Sequence, residues 1–361
     1  MKIHLRPAGW SAALLGVAGL TYAIAREQSN SKAMRELKGK VVLVTGGSRG
    51  LGYAVARELA LSGARLALTS RHTDELERAK ARLLASGCAA PGDVWVYPCD
   101  VSVEPTVREM VAAATAHFGR IDVVVNDAGV IMVGPLEGQT LDSFHQAMNV
   151  NFFGALHTTL AVLPQMLKRG EGAIVNIGSI GGKVAFPHLL PYVASKFALT
   201  GWSQGLRAEL AVRGIRVTTV SPGIMRTGSH IQARFTGDRE QEYRWFAAAA
   251  SLPATAVNAT GAARKIVRGL AAGSAEISIG LQATVAARFS NVAPELTAAL
   301  LALANATLPN PPREGGPDFW QSDQSTAGKA FRGSLPSIVE HLGNTPIKRY
   351  NQEPAATTAG G

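Results

Sequence analysis

The chain has 361 residues, of which 47% are hydrophobic and 17% are charged, and its formal net charge is +10. This length suits one large α/β domain or two smaller ones, and the composition excludes a chain that is disordered throughout. The basic residues are scattered among acidic ones, so we expect affinity for phosphates or an anionic membrane surface and no nucleic-acid partner. The two cysteines, Cys88 and Cys99, predict neither a disulfide framework nor a metal site.

The N-terminal segment is apolar, and residues 8–25 contain no charged side chain. As a helix they would be about 27 Å long, close to the thickness of about 30 Å of a bilayer hydrocarbon core. We therefore predict an N-terminal apolar helix that anchors the chain to a membrane within residues 1–25. A signal peptide cleaved after Ala25 and a peripheral helix are the alternatives. Residues 26–38 are polar and are predicted to be a linker.

From residue 39 the chain alternates between strand, turn and helix. Short apolar runs rich in β-branched residues are typical of buried parallel strands. The predicted strands are residues 40–45, 64–70, 94–99, 121–126, 173–178, 215–221 and 276–280. Because helical stretches separate these runs, the sequence predicts an α/β fold over residues 39–280. Its core would be a doubly wound, Rossmann-like parallel sheet of about seven strands.

The C-terminal part of the chain has a different character. Residues 281–308 carry an apolar stripe at helical spacing, and Pro294 is predicted to divide it into two extra helices. We expect these helices to pack on the sheet or on a subunit neighbour; a cover over a binding cleft or a membrane contact is the alternative. Residues 309–361 are rich in Pro, Gly, Ser and Thr, so they are predicted to be a mostly disordered, dispensable tail with a local element at 335–342.

A glycine-rich turn follows the first predicted strand and opens the first predicted helix. It reads Thr45, Gly46, Gly47, Ser48, Arg49, Gly50, Leu51 and Gly52. Glycines at these positions permit a tight turn and allow backbone amides at a helix N-terminus to approach a pyrophosphate. The turn therefore predicts a dinucleotide site, and an ordinary strand-to-helix turn is the alternative.

The end of the second predicted strand indicates which dinucleotide would bind. Sites for NAD usually carry an acid there, which binds the ribose 2′-hydroxyl. Here Ser70 and Arg71 occupy that place, and Arg49 lies in the glycine-rich turn nearby. Two guanidiniums without an acid suit a 2′-phosphate, so we expect NADP, with NADPH preferred over NADH. Two simply solvated arginines are the alternative.

Three polar residues form a candidate catalytic group. Tyr192 and Lys196 are four residues apart, and Pro191 is expected to open a helix that places both on one face. An ammonium about 4–5 Å from a phenol favours the phenolate, so we expect Lys196 to lower the pKa of Tyr192 from about 10. Ser179, thirteen residues before Tyr192, could contact the same substrate oxygen.

In this order, these motifs resemble those of the short-chain dehydrogenase/reductase family. The glycine-rich turn matches the family's T-G-x3-G-x-G, and Ser179, Tyr192 and Lys196 match its catalytic triad in type and spacing. Further matches are Asp100 and Val101 after the third strand, Asn126, Ala128 and Gly129 after the fourth, Asn151 in N-V-N-F, and Pro222, Gly223 and Thr227 in P-G-x3-T. The family's N-N-A-G reads N-D-A-G here, with Asp127 in place of the second asparagine.

The resemblance implies hydride transfer between a nicotinamide and a carbonyl or secondary alcohol, with no metal. It implies that Tyr192 protonates the developing alkoxide and that Ser179 binds the substrate oxygen. Lys196 would lower the pKa of Tyr192 and bind the nicotinamide ribose, and Asn151 would anchor a water. The other matched residues would bind the cofactor together with Tyr192 and Lys196. By the same resemblance, we expect a homo-oligomer.

We expect an NADPH-dependent oxidoreductase that acts on a small lipophilic molecule. Aromatic residues within 228–251, where the family carries a substrate lid, support a lipophilic substrate, and His188 could also contact it. Oxidation of an alcohol with NAD(P) and a non-catalytic NADP-binding scaffold are alternatives. An epimerase or dehydratase of the extended relatives fits the glycine spacing poorly. Because NADPH is abundant inside cells, we expect a membrane-associated chain with its catalytic domain in the cytosol; a cytoplasmic protein is the alternative.

Overall fold

A computed structural model describes residues 36–253, 255–310 and 325–352. The predicted N-terminal apolar helix and most of the predicted linker lie outside these residues. Within the described ranges, every helix is too short or too polar to cross a bilayer.

The central sheet contains the seven strands that the apolar runs predicted. In chain order the strands are β1 (Val41–Thr45), β2 (Arg65–Ser70), β3 (Val94–Pro98), β4 (Val123–Asn126), β5 (Met132–Val133), β6 (Gly172–Ile177), β7 (Ile215–Pro222), β8 (Met225–Arg226), β9 (Arg234–Phe235), β10 (Val257–Asn258), β11 (Glu276–Ile279) and β12 (Thr326–Ala327). Seven of these form one sheet in the order β3-β2-β1-β4-β6-β7-β11, and all neighbours are parallel. The predicted doubly wound Rossmann-like sheet is confirmed.

Helices cover both faces of this sheet. In chain order they are α1 (Gly50–Leu61), α2 (Thr73–Ala85), α3 (Glu104–Phe118), α4 (Leu141–Met148), α5 (Gly154–Arg169), α6 (Leu190–Ala211), α7 (Arg239–Ser251), α8 (Ala259–Ala271), α9 (Leu281–Val292), α10 (Pro294–Asn305) and α11 (Ser337–Arg349). Side chains alternate along a strand, so one strand contributes to two apolar layers. In β1, Val42 and Val44 pack towards α1 and α8, whereas Val41 and Leu43 pack towards α3 and α5.

The strand order places a cleft at one edge of the sheet. The chain leaves β1 towards β2 and β3 on one side, while β4, β6 and β7 lie on the other side. In open α/β sheets, ligands bind beyond the carboxyl ends of the strands at this reversal of strand order. The residues that end β1, β2, β4, β6 and β7 therefore face a common cleft.

The two extra helices form as predicted, and α10 begins at Pro294. The stripe, however, is exposed: Leu281 is 78% and Val292 is 84% accessible to solvent. Small residues on the other face of α9, Ala283 and Ala287, pack against Ile180 and Val184 instead. Within the described residues the stripe does not pack on this chain's own sheet, since α9 packs through its alanines instead; packing of the stripe on a subunit neighbour stays a prediction.

The tail is structured where it is described, so the prediction of a mostly disordered tail was wrong for residues 325–352. β12 pairs antiparallel with β9, and α11 follows. Phe331, Leu335 and Val339, which are spaced four apart, pack into one apolar cluster with residues of α7. The prediction of disorder was based on the many prolines and glycines in this part of the sequence. The observed structure depends instead on burial of these three apolar side chains, which recur every four residues.

Candidate active site

A cavity of about 700 Å³ lies at the carboxyl ends of the strands. It brings together most of the residues that the motifs predicted. Those that line it are Gly46, Ser48, Arg49, Gly50, Leu51, Ser70, Arg71, Asp100, Val101, Ala128, Gly129, Ser179, Tyr192, Lys196, Pro222, Gly223 and Thr227. Four predicted residues do not line the cavity but lie next to residues that do: Thr45, Gly52, Asn126 and Asn151.

Thr45 and Asn126 connect strands beneath the cavity. The Thr45 hydroxyl accepts hydrogen bonds from the backbone N–H groups of Asp127 and Ala128, at 3.2 and 3.3 Å. The Asn126 amide donates to Oδ1 of Asn176 at 2.8 Å. These hydrogen bonds fix the ends of β1, β4 and β6 relative to one another, so both residues support the cavity structurally.

At Gly46 and Gly52, the glycine-rich turn lies too close to neighbouring backbone atoms to accommodate a side chain. Gly46 has a φ of +71°, and a Cβ there would lie 2.9 Å from the backbone nitrogen of Ala128. A Cβ on Gly52 would overlap the carbonyl oxygen of Gly46. The turn thus packs directly against the loop after β4 and leads into the N-terminus of α1. This geometry fits a dinucleotide pyrophosphate.

Arg49 and Arg71 line the end of the cavity where we expect the adenosine of the cofactor, called the adenosine end below. An acidic side chain lies beside them. Glu75, in the first turn of α2, forms an ion pair with Arg49 and accepts a hydrogen bond from the Ser48 hydroxyl at 3.2 Å. Burial lowers the pKa of Arg49, the nearby Arg71 lowers it further, and Glu75 opposes both. The prediction that no acid accompanies the guanidiniums was therefore wrong.

Sequence reasoning missed Glu75 because it examined only the end of β2. The available signal was the start of α2 directly after Arg71 and His72, since the first turn of that helix lies beside the glycine-rich turn. Asp100 lies at the same end of the cavity, where its carboxylate accepts hydrogen bonds from the backbone and hydroxyl of Ser102.

Ser179, Tyr192 and Lys196 meet at the carboxyl end of β6. The Ser179 hydroxyl accepts a hydrogen bond from the Gly181 backbone at 3.0 Å, and it lies near enough to the Tyr192 phenol to lower its pKa. Lys196 is 5% exposed, and its ammonium donates to the Ile177 carbonyl at 2.8 Å. The Lys196 nitrogen lies 5.8 Å from the centroid of the Tyr192 ring.

Burial dominates the protonation of this group. It raises the pKa of Tyr192 to about 12, an effect that the nearby Ser179 hydroxyl opposes and the charge of Asp127 reinforces. Burial lowers the pKa of Lys196 to about 8, and it raises the pKa of Asp127 to about 7 against the attraction of Lys196. The expected net lowering of the Tyr192 pKa was wrong for this structure, because the buried phenolate loses more hydration than its surroundings restore.

Asn151 supports the helix that carries Tyr192. It lies in a π-helical turn, Asn149–Phe153, between α4 and α5. Its side chain exchanges two hydrogen bonds with the Val130 backbone, at 2.8 and 3.0 Å, and donates to the Ser195 hydroxyl at 2.8 Å. Ser195 in turn donates to the Tyr192 carbonyl at 2.7 Å. Asn151 therefore couples the loop after β4 to the first turn of α6.

Beyond Tyr192 the cavity is mainly apolar. Its walls there include Phe186, Leu189, Trp245, Phe246, Leu301 and Leu308, so α7 and α10 both contribute. Phe235 and Tyr243, by contrast, are fully buried in the core of the predicted lid. His188 bonds Glu242 at 2.7 Å, and Glu242 accepts from the Trp245 indole at the same distance. His188 thus joins its loop to α7 and does not line the cavity.

This combination defines a class of enzyme. A parallel sheet with a glycine turn at its switch point is suited to bind a nicotinamide dinucleotide, and a serine, a tyrosine and a lysine beside it are groups that can transfer a proton to or from an alcohol or carbonyl. The family model described as "short chain dehydrogenase" matches residues 40–236. The chain belongs to this family of NAD(P)-dependent oxidoreductases.

Individual relatives agree with the family assignment. The chain is 37% identical over 220 residues to a "Dehydrogenase/reductase SDR family protein 7-like" of Anopheles gambiae, which is 61% of this chain and 69% of that protein. It is 39% identical over 191 residues to the "D-threitol dehydrogenase" of Mycolicibacterium smegmatis, covering 53% of this chain and 72% of the other. A solved short-chain dehydrogenase from Streptomyces avermitilis has a TM-score of 0.64 at 30% identity and covers 74% of this chain and 98% of its own.

Proposed function

We propose that this protein is an NADPH-dependent reductase of a lipophilic aldehyde or ketone. The placement of Tyr192 carries the proposal: it lines one cavity with the glycine-rich turn and with apolar side chains, and burial raises the pKa of its phenol to about 12. A phenol that stays protonated at neutral pH is suited to act as a general acid, which is what carbonyl reduction requires. The test is a screen of purified protein and NADPH against ketones, aldehydes, retinoids, steroids and fatty-acyl compounds.

Each polar residue has a defined task in this mechanism. Bound nicotinamide supplies the hydride. Tyr192 donates its proton to the substrate oxygen, and Ser179 hydrogen-bonds the same oxygen and the phenol. The Lys196 ammonium supplies positive charge beside the developing phenolate, while the buried Ile177 carbonyl holds it in place. Asn151 positions the first turn of α6 through Ser195. Apolar walls exclude water from the reacting carbon.

Oxidation of an alcohol is the second candidate, supported by the name of the threitol-oxidising relative. The same residues would then work in reverse, with Tyr192 accepting the proton. The apolar walls favour a substrate with more hydrocarbon than a tetritol. Initial rates in both directions with one substrate pair, at matched cofactor concentrations, distinguish the two candidates. A non-catalytic scaffold has no use for Ser179, Tyr192 and Lys196 lining one cavity together.

We expect wild-type protein to bind NADPH at least about tenfold more tightly than NADH, because Arg71 and Arg49 outnumber Glu75 at the adenosine end. Arg71→Ala should remove about tenfold of that preference, since a charge-assisted hydrogen bond contributes about 1.5–3 kcal/mol. Cofactor fluorescence titration measures both dissociation constants. Arg108→Ala is the control, because Arg108 is exposed on α3 and pairs with Glu104. Equal affinity of wild type for both cofactors would refute the preference.

The pH dependence should reveal the charge on Lys196. With a Lys196 pKa of about 8, kcat/KM for reduction should fall as pH rises through 8 and the ammonium is lost. Asp127 is largely ionised there, and its charge raises the pKa of Lys196. Asp127→Asn removes that charge, so the fall should move to lower pH. A profile of kcat/KM against pH for both proteins measures the shift, and a shift to higher pH would contradict the assignment.

We expect α10 to determine how well the cavity accepts bulky substrates. Leu301 lines the cavity, whereas its neighbour Leu300 is 51% exposed. We expect Leu301→Gln to raise KM for a bulky lipophilic substrate about tenfold or more, because burying an amide without a partner costs about 1–3 kcal/mol. Leu300→Gln is the matched control and should leave KM unchanged. The cofactor dissociation constant should stay constant in both variants, and equal KM values for the two would place the substrate elsewhere.

We further propose that residues 8–25 associate the chain with a membrane, with the catalytic domain in the cytosol, and that the protein assembles as a homo-oligomer. The apolar segment and the exposed stripe on α9 and α10 support membrane association. Cell fractionation with mass spectrometry of the mature N-terminus tests the anchor. Full-length protein found wholly in the soluble fraction would exclude it. Light scattering of the purified protein gives the oligomeric state.

A further inference from the structure

Residues 350–352, which follow α11, lie on the glycine-rich turn. The Gly50 backbone N–H, at the N-terminus of α1, donates to the Tyr350 carbonyl at 2.8 Å. The Tyr350 ring is buried in the core between α1 and α8, and its hydroxyl bonds Thr260. Ile347, one turn earlier, packs on Gly228, next to Thr227 of the cavity wall. The segment therefore connects the two loops that border the cofactor end of the cavity.

Asn351 joins the glycine-rich turn to α2. Its side-chain amide donates to the Ser48 carbonyl at 2.7 Å and to the Glu75 carbonyl at 3.2 Å. Its backbone has a φ of +56°, a conformation that asparagine tolerates better than most residues. Ser48 and Glu75 are the residues that surround Arg49. Asn351 thus holds the position of the groups that meet the adenosine 2′ substituent.

Gln352 faces the cavity itself. Its residue is 3% exposed, and its Oε1 has no hydrogen-bond partner within the described part of the chain. Its Nε2 lies 2.9 Å from the place that a Cβ on Gly50 would take. An unpaired buried polar atom costs about 1–3 kcal/mol, so this amide indicates a ligand that pairs with it. Ribose hydroxyls and phosphate oxygens of a dinucleotide at the glycine-rich turn offer both donors and acceptors.

We propose that residues 350–352 are part of the dinucleotide site, with Gln352 contacting the bound dinucleotide and Asn351 acting as a positioning residue for the adenosine end. This rests on the proposed function only in that the ligand is NADP(H) or NAD(H). It assigns a cofactor-binding role to a segment that lies outside residues 40–236, the part of the chain that matches the family.

The experiment is titration of the full-length protein with NADPH and with NADH, followed by cofactor fluorescence, for four variants. Gln352→Ala removes the proposed contact. Asn351→Gly removes the side chain but keeps the positive φ accessible, and Asn351→Asp keeps its shape but removes the N–H donors. Asn344→Ala is the matched control, since Asn344 lies in α11 and bonds Arg332. Thermal unfolding of each variant shows whether the fold is retained.

We expect Gln352→Ala to raise the dissociation constants of both dinucleotides about tenfold. Both Asn351 variants should weaken NADPH more than NADH, a difference that general destabilisation does not produce. Asn344→Ala should match wild type. Variants that bind both dinucleotides within twofold of wild type would overturn the proposal, and so would tighter binding, which would make the segment an occluding element. Wild-type protein that binds neither dinucleotide would instead refute the proposed function.

Discussion

Tyr192→Phe should lower kcat by about 10²–10⁴-fold, the usual contribution of a positioned acid or base. The phenylalanine ring keeps the shape of the side chain but cannot donate a proton to the substrate oxygen. The bond from the Gly181 backbone to the Ser179 hydroxyl is unaffected, so the serine can still bind the substrate oxygen. Steady-state kinetics with the best substrate from the screen measures the loss.

Binding of NADPH separates this effect from damage to the site. Tyr192 lies beyond the glycine-rich turn, so the NADPH dissociation constant should change by less than the turnover does. Tyr243→Phe is a suitable comparison, because Tyr243 is a buried tyrosine of the lid core that does not line the cavity. It should retain most of its activity. A Tyr192→Phe variant with wild-type kcat would remove Tyr192 from the mechanism.

The parts of the site that depend on local spacing could be predicted from the sequence. Tyr192 and Lys196 are one helical turn apart, and Pro191 lies in the first turn of α6, so both side chains reach one place. The seven strands were evident because buried parallel strands are continuous apolar runs. The effect of burial on the pKa of Tyr192 could not be predicted from the sequence. Spacing suggested a lowered pKa for Tyr192, whereas its pKa rises because the surroundings remove water.

The parts that depend on distant contacts could not be predicted. Glu75 reaches Arg49 from the next helix, and Asn351 reaches Ser48 across 303 residues of sequence. Neither contact has a local pattern, because each depends on how α2 and α11 pack. For the exposed stripe of α9 and α10, by contrast, a local pattern was present but did not reveal the packing. Its spacing correctly predicted helices, but spacing cannot tell which face the protein buries.

Gly52→Ala should destabilise the protein by about 3 kcal/mol or more, since a methyl group that overlaps backbone cannot be relieved by a rotamer change. The added Cβ would overlap the Gly46 carbonyl oxygen and lie 2.7 Å from Oδ2 of Asp127. Relief requires α1 to move away from the glycine-rich turn. We therefore expect a lower Tm, and in the folded fraction an NADPH dissociation constant raised about tenfold or more, because the cradle amides move with the turn.

Gly201→Ala is the matched substitution with the opposite expected sign. Gly201 also lies in a helix, α6, is exposed, and has nothing within 4 Å of the added Cβ. Alanine there should stabilise the protein by about 0.5–1 kcal/mol, because glycine loses more conformational freedom in a helix. Chemical denaturation and calorimetry on both variants measure the pair. If Gly52→Ala were as stable as Gly201→Ala and bound NADPH normally, α1 would not sit against the turn as closely as described, and the close-packed dinucleotide cradle would be incorrect.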